Sequence, residues 1–148
     1  MKFKLTTLSI FSLYITAQLF IGCSTIGLST RHMPDKTSLS QRVTALWDAR
    51  VKKDWATVFE MTDAAYQKTE SKTKFIVKGG LKEVLDFTID NITISNDNSA
   101  MPTATVMMRF TIFKAGYKFK PVIQELWLFE PNNGWVLNKT AMKNKKPL

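Results

Sequence analysis

The sequence predicts an α+β domain in which N-terminal helices pack on a curved, antiparallel, four-stranded sheet. Apolar residues recur about every 3.6 positions before Gly79-Gly80 and every second position after Leu81. Turn-forming residues then cut the second half of the chain into strands that follow one another directly. Composition sets the scale. With 148 residues, 45% hydrophobic and 22% charged, the chain has material for one core, and its ten Phe and four Trp supply enough apolar surface to fold it.

The first helix is expected to begin near Thr37 or Ser38, because Ser38 and Gln41 have the spacing of a capping box. Leu39, Val43, Leu46, Trp47 and Val51 form its apolar stripe, with Gln41, Arg42, Asp48, Lys52 and Lys53 on the other side. Asp54 reads as the N-cap of a second helix that carries Trp55, Val58, Phe59 and Tyr66. A third, shorter helix from Ser71 turns Phe75 inward and stops at Gly79-Gly80.

In the first strand Leu85, Phe87 and Ile89 alternate, and Ile92 and Ile94 continue on the opposite parity, so Asp90-Asn91 marks a bulge. Asn96-Asp97-Asn98-Ser99 is a turn. Residues 103–113 form the clearest strand, with Ala104, Val106, Met108, Phe110 and Ile112 on one face. After a turn at Ala115-Gly116, residues 117–129 return. Ile123, Trp127 and Phe129 share one parity there and Val122, Leu126 and Leu128 the other, which suits a central or strongly curved strand. Asn132-Asn133-Gly134 is a hairpin signal, and residues 135–140 close the sheet.

Ahead of this domain the chain has the layout of an export signal. Met1-Lys2-Phe3-Lys4 is basic, and the stretch from Leu5 to Ile21 is uncharged. As a helix that stretch would span roughly 26 Å, less than a hydrocarbon core of about 30 Å, and its many hydroxyl residues dilute it further. The segment Leu19-Phe20-Ile21-Gly22-Cys23 resembles the lipobox of bacterial lipoprotein precursors, with Phe20 where leucine is commonest. The resemblance implies cleavage between Gly22 and Cys23, a diacylglycerol thioether on Cys23 and acylation (palmitate, for instance) of the new amino terminus. The alternatives are a secretory signal cut near Ser24, or an uncleaved anchor with an inert Cys23. Two or three acyl chains at ~0.8 kcal/mol per buried CH₂ would anchor the protein stably to a membrane. Ser24 after the cysteine resembles the Gram-negative pattern that sends lipoproteins to the outer membrane, facing the periplasm. The resulting division is a signal peptide over 1–22, a lipidated tether over 23–36, the α+β domain over 37–142 and a basic tail over 143–148.

Composition narrows the chemistry. With one Cys and one His, no internal disulfide and no cysteine-based metal cluster can form, and His32 sits in a Ser/Thr/Pro-rich stretch. No metal or cofactor is expected. The net charge of +9 favours anionic surfaces, among them phospholipid headgroups, acidic glycans and nucleic acid, without choosing among them, or simply gives a soluble basic face. A nucleic-acid partner is not expected. Lys143, Lys145 and Lys146 in the tail could touch headgroups or stay solvated.

Two runs carry a second resemblance. One is Ala45-Leu46-Trp47-Asp48-Ala49-Arg50 through Lys53-Asp54-Trp55-Ala56-Thr57-Val58-Phe59. The other is the terminal hairpin from Leu126-Trp127-Leu128-Phe129 through Gly134-Trp135-Val136-Leu137. Together they resemble the nuclear-transport-factor-2-like (NTF2-like, cystatin-related) superfamily over residues 37–142. The resemblance implies a cone of bent sheet closed by helices, often with a pocket inside. Trp47, Phe59, Tyr66, Phe87, Met108, Phe110 and Trp127 are then the candidate lining, with Met107 and Phe129 beside them, unless they are plain core. Superfamily members range from isomerases and dehydratases to transport adaptors and lipoproteins without known activity, so the fold does not select a function.

Enzymes of the superfamily use an Asp base with a Tyr or a second acid, or an Asp–His pair. The acid–phenol candidates here are Asp86 and Asp90 with Tyr66 and Tyr117, although parity turns both acids toward solvent. Three expectations follow. The first is a membrane-anchored, non-enzymatic module that binds an envelope protein or a small ligand. The second is an acid–phenol isomerase or dehydratase, and the third is a structural envelope protein without a pocket. The oligomeric state stays open, with a dimer among the options.

Overall fold

The structure is a computed structural model that describes residues 34–95, 101–114 and 116–144. The export signal, Gly22, Cys23, His32, the turn at 96–99, Ala115 and residues 145–148 lie outside the described residues. Helix α1 (Lys36–Val51) begins one turn earlier than the capping-box spacing suggests. Asp35 is the N-cap, its carboxylate accepting from the Ser38 amide at 2.7 Å. Ser38 thus lies inside the helix, its hydroxyl donating to the Asp35 carbonyl at 3.0 Å. Leu39, Val43, Leu46 and Trp47 are buried along one stripe, as the periodicity predicts.

At the end of α1 the chain turns sharply. Lys53 adopts φ 60°, a left-handed value usually left to glycine. The Lys53 and Asp54 amides donate back to the Arg50 and Ala49 carbonyls, at 3.1 and 2.8 Å. Helix α2 (Trp55–Glu60) starts at once, with Asp54 as its N-cap, as read. The predicted second helix is in fact two. The chain leaves α2 at Met61, forms a bridge between Thr62 and Leu137, and re-enters α3 (Ala64–Thr69) with Asp63 as cap. The break is a tertiary effect: the Met61 carbonyl accepts from the Leu137 amide and the Asp63 amide donates to the Leu137 carbonyl. Helix α4 (Lys72–Gly80) follows, capped by Ser71. The flat face of Gly79 is necessary, because a methyl there would come within 2.3 Å of the Trp55 ring.

The sheet is antiparallel and curved, with the N-terminal helices packed against it. Strands β1 (Glu83–Ser95), β2 (Thr103–Lys114), β4 (Val122–Glu130) and β5 (Gly134–Leu137) lie in the order β1-β2-β4-β5. The short β3 (Tyr117–Phe119) also pairs with β2, beyond the end of β4. The expected return strand is therefore one lane of the sheet, interrupted at Lys120-Pro121, where proline removes a backbone donor. Among the described residues this makes five strands in four lanes.

Two register shifts bend β1 against β2. The one between Ile89 and Asn91 is the bulge expected at Asp90-Asn91. The other, between Val84 and Asp86, has no counterpart in the sequence reading. It sends Val84 into the core and leaves Leu85 exposed, whereas simple alternation had placed Leu85 inside. Strand β5 ends at Leu137, short of the expected closure at 140. Asn138 caps a final helix, α5 (Lys139–Asn144), accepting from the Ala141 amide at 2.9 Å.

Arg42 is a further difference. Predicted on the solvated face of α1, it is half-buried and donates through Nε to the Trp135 carbonyl at 3.1 Å.

Candidate functional site

The helices do not fill the hollow of the sheet. Between them lies a cavity of about 680 Å³, within the range that holds small organic ligands. Strands β1, β2 and β4 contribute Val84, Phe110, Ile112, Phe113 and Ile123 to its floor. The opposite wall is Trp55 and Val58 from α2, Tyr66 from α3, and Phe75 and Gly79 from α4. Phe75 is in ring contact with Trp55, Phe59 and Tyr66, at centroid distances of 6.4, 5.3 and 6.2 Å. These aromatic contacts give the wall its shape. The Trp55 indole Nε1 is buried with no acceptor among the described residues. Met142 of α5 and the highly exposed Leu81 complete the apolar lining.

A buried charge cluster borders the cavity. Glu125, on β4, is 1% exposed. One of its oxygens accepts from Arg50 Nη1 at 2.8 Å and the other from Trp47 Nε1 at 3.1 Å. The Arg50 guanidinium also lies over the Trp47 ring, 4.2 Å from its centroid. Trp47 in turn packs on Phe110 of β2, with centroids 4.8 Å apart. This joins the end of α1 to two strands. With both oxygens engaged, the Glu125 carboxylate is a fixed counter-ion.

Lys139 stands at the same end, at the start of α5. Burial, then the nearby positive charges of Arg50 and Lys82, hold its ammonium below the ordinary lysine value, while Glu125 pulls the other way. Tyr66 is shifted in the opposite sense: burial first, then Glu70 and Asp63, raise its phenol.

Of the residues proposed from the sequence as lining, Trp47, Tyr66 and Phe110 stand in the wall. Met108 and Trp127 are fully buried in the main core, with Phe87 packed against it and Phe129 also within it. Phe59 is buried behind the wall, against Phe75 and Tyr66. The acid–phenol set does not assemble. Asp86 and Asp90 are exposed, Asp90 pairing with Arg109 at 3.2 Å, and Tyr117 is 70% exposed. Sequence reasoning missed Arg50, Glu125 and Lys139. A signal for two of them was present: Glu125 shares the inward parity of Ile123 and Trp127, and Arg50 follows Leu46 and Trp47 at helical spacing. Among the described residues no group of His, Cys, Asp and Glu could hold a metal ion. No helix among them is long and apolar enough to cross a membrane.

No family model and no curated protein matches the chain. Among solved structures it is similar to the solution structure of a SEC-C motif containing protein from Rhodopseudomonas palustris. The identity is 13% and the TM-score 0.49, over 66% of this chain and 72% of that one. A likeness of that size lends no weight to any reading of this chain.

Proposed function

We propose that this chain is a lipid-anchored envelope protein with an NTF2-like domain that binds a small, largely apolar ligand and performs no catalysis of its own. The observation that carries the proposal is the apolar cavity between helices and sheet, about 680 Å³ in volume. A structural protein has no need of such a space, because empty volume forfeits packing energy. The lipobox-like Leu19-Phe20-Ile21-Gly22-Cys23 supports the anchor, and Ser24 supports the periplasmic face of an outer membrane. The isomerase or dehydratase reading has less support. Its two aspartates lie on the solvated face, and the two acids in the cavity wall, Glu83 and Glu125, are already paired with Lys53 and Arg50.

The full chain in lipid nanodiscs, titrated with the neutral fluorophore 1-aminoanthracene, is expected to show saturable enhancement at one site per chain, above empty discs. Ile112→Trp, which fills the cavity from its floor, is expected to abolish that signal. No saturable signal, or a signal indifferent to Ile112→Trp, contradicts the ligand reading. For the anchor, mass spectrometry of the native amino-terminal peptide is expected to show an acylated Cys23, and Cys23→Ser to shift the protein out of the membrane fraction.

A further inference from the structure

The charges around the cavity do not balance. Its wall holds two acids, Glu83 and Glu125, and both already have partners: Glu125 is bound to Arg50 at 2.8 Å, and Glu83 to Lys53 at 3.3 Å. Three further cations, Lys78, Lys82 and Lys139, face the same space with no ion pair among the described residues. Lys78 and Lys82 are exposed at the rim, where water screens them. Lys139 is half-buried in the cavity wall, within electrostatic reach of Arg50, Glu125 and Lys82. Withdrawing an ammonium from water beside two other cations is unfavourable, and Glu125, already engaged by Arg50 and Trp47, offsets that cost only in part. The rest of the wall, with Trp55, Phe75 and Phe110, is apolar and aromatic. The cavity is therefore two-sided, with one end suited to negative charge and the remainder to hydrocarbon or rings.

We infer that the ligand is a small organic acid, an apolar body with one carboxylate, whose charged end meets Lys139 at the Arg50–Glu125 end of the cavity. This rests on the reading of the cavity as a ligand site. A carboxylate there gains charge-assisted hydrogen bonds from Lys139, and Lys82 adds attraction from the rim. A cationic ligand would meet three unanswered ammonium groups, and a neutral one would leave Lys139 as it is.

A matched pair of ligands separates charge from shape. Naphthalene-2-carboxylate and naphthalene-2-carboxamide have the same body and nearly the same size, and only the first is an anion. With the full chain in nanodiscs and empty discs as the blank, calorimetry is expected to give the carboxylate an affinity about tenfold higher or more. Lys139→Met is expected to bring the two ligands to within about twofold, and Lys139→Arg to restore the preference. Should Lys139→Met unsettle α5, Lys82→Met provides an independent reading, with a smaller loss of preference expected. Equal affinities in the unaltered protein overturn the inference while leaving the ligand site standing. Failure of both ligands to bind, alongside a negative 1-aminoanthracene titration, overturns the site and the inference together. A preference that survives Lys139→Met and Lys82→Met alike also overturns it.

Discussion

Two layers of this domain bury their side chains very differently. Where α1 lies on the sheet, Leu39, Val43, Leu46, Met108, Trp127 and Leu137 form one continuous cluster with almost no exposed surface. Where α2 and α4 cover the other end, the buried set shrinks to Ala49, Trp55, Val58 and Phe59, backed by the partly buried Phe75 and Ile76. Helix α3 has no buried residue and α4 has only Gly79. The first layer resembles the interior of any stable domain. The second is a thin cover over the cavity. Local stability follows apolar burial, so the cover should open at a lower free energy than the sheet beneath it. The fold keeps its stability on one side and its accessible volume on the other.

Substitutions can break this contrast. The largest effect is expected where the two layers meet. Glu125→Leu leaves the Arg50 guanidinium buried without its carboxylate, and should lower stability by about 3–5 kcal/mol in urea denaturation. Next comes truncation in the sealed layer. Leu46, with no exposed surface, should cost about 2–5 kcal/mol when changed to alanine. Phe75→Ala, though it deletes a larger side chain, should cost about half of that or less. One side of the Phe75 ring already borders the cavity and has few protein contacts to lose. If Phe75→Ala proves the more damaging of the two, the cover is packed as tightly as the core and the contrast fails.

The smallest effect expected is one of pH, at the seam between α3 and α5. Burial alone would raise the Asp63 carboxyl. The hydrogen bonds it accepts from the Thr140 hydroxyl and amide, and from the Tyr66 and Lys139 amides, outweigh that and hold it below the usual aspartate value. The folded chain therefore takes up this proton less readily than the unfolded chain. The stabilisation is whole above the unfolded value of about 4 and fades as pH falls through the lower, folded one. Asp63→Asn should flatten that acid limb in denaturation curves measured across pH.

Local chemistry made much of this architecture legible. Asp54 and Ser71 cap helices as their positions predict, and Asn133-Gly134 closes its hairpin with Gly134 at φ 68°. Misreadings arose where a distant partner decides. Ser38 has the spacing of a cap, yet Asp35 supplies it, because the helix gains a turn by starting earlier. The break between α2 and α3 depends on Leu137, which no window around Thr62 contains. The bulge after Val84 is likewise set by pairing with β2.

The candidate site was the least legible region, for a related reason. Periodicity marks which residues face inward, and it marked Trp47 and Phe110 well, but it does not say whether the space they face is filled. It also counts charged residues as outward by default. Arg50 and Glu125 each occupy an inward position, and their mutual neutralisation across more than seventy residues of chain makes that burial tolerable.

Hydrogen–deuterium exchange of the full chain in nanodiscs, with and without naphthalene-2-carboxylate, tests the thin-cover account most directly. Without ligand, amides of α4 should exchange well before those of β2 and β4. With saturating ligand, protection should rise in α2, α4 and the start of α5, while the sheet's central strands change little. Uniform exchange across cover and sheet, or protection that rises anywhere other than around the cavity, would contradict it.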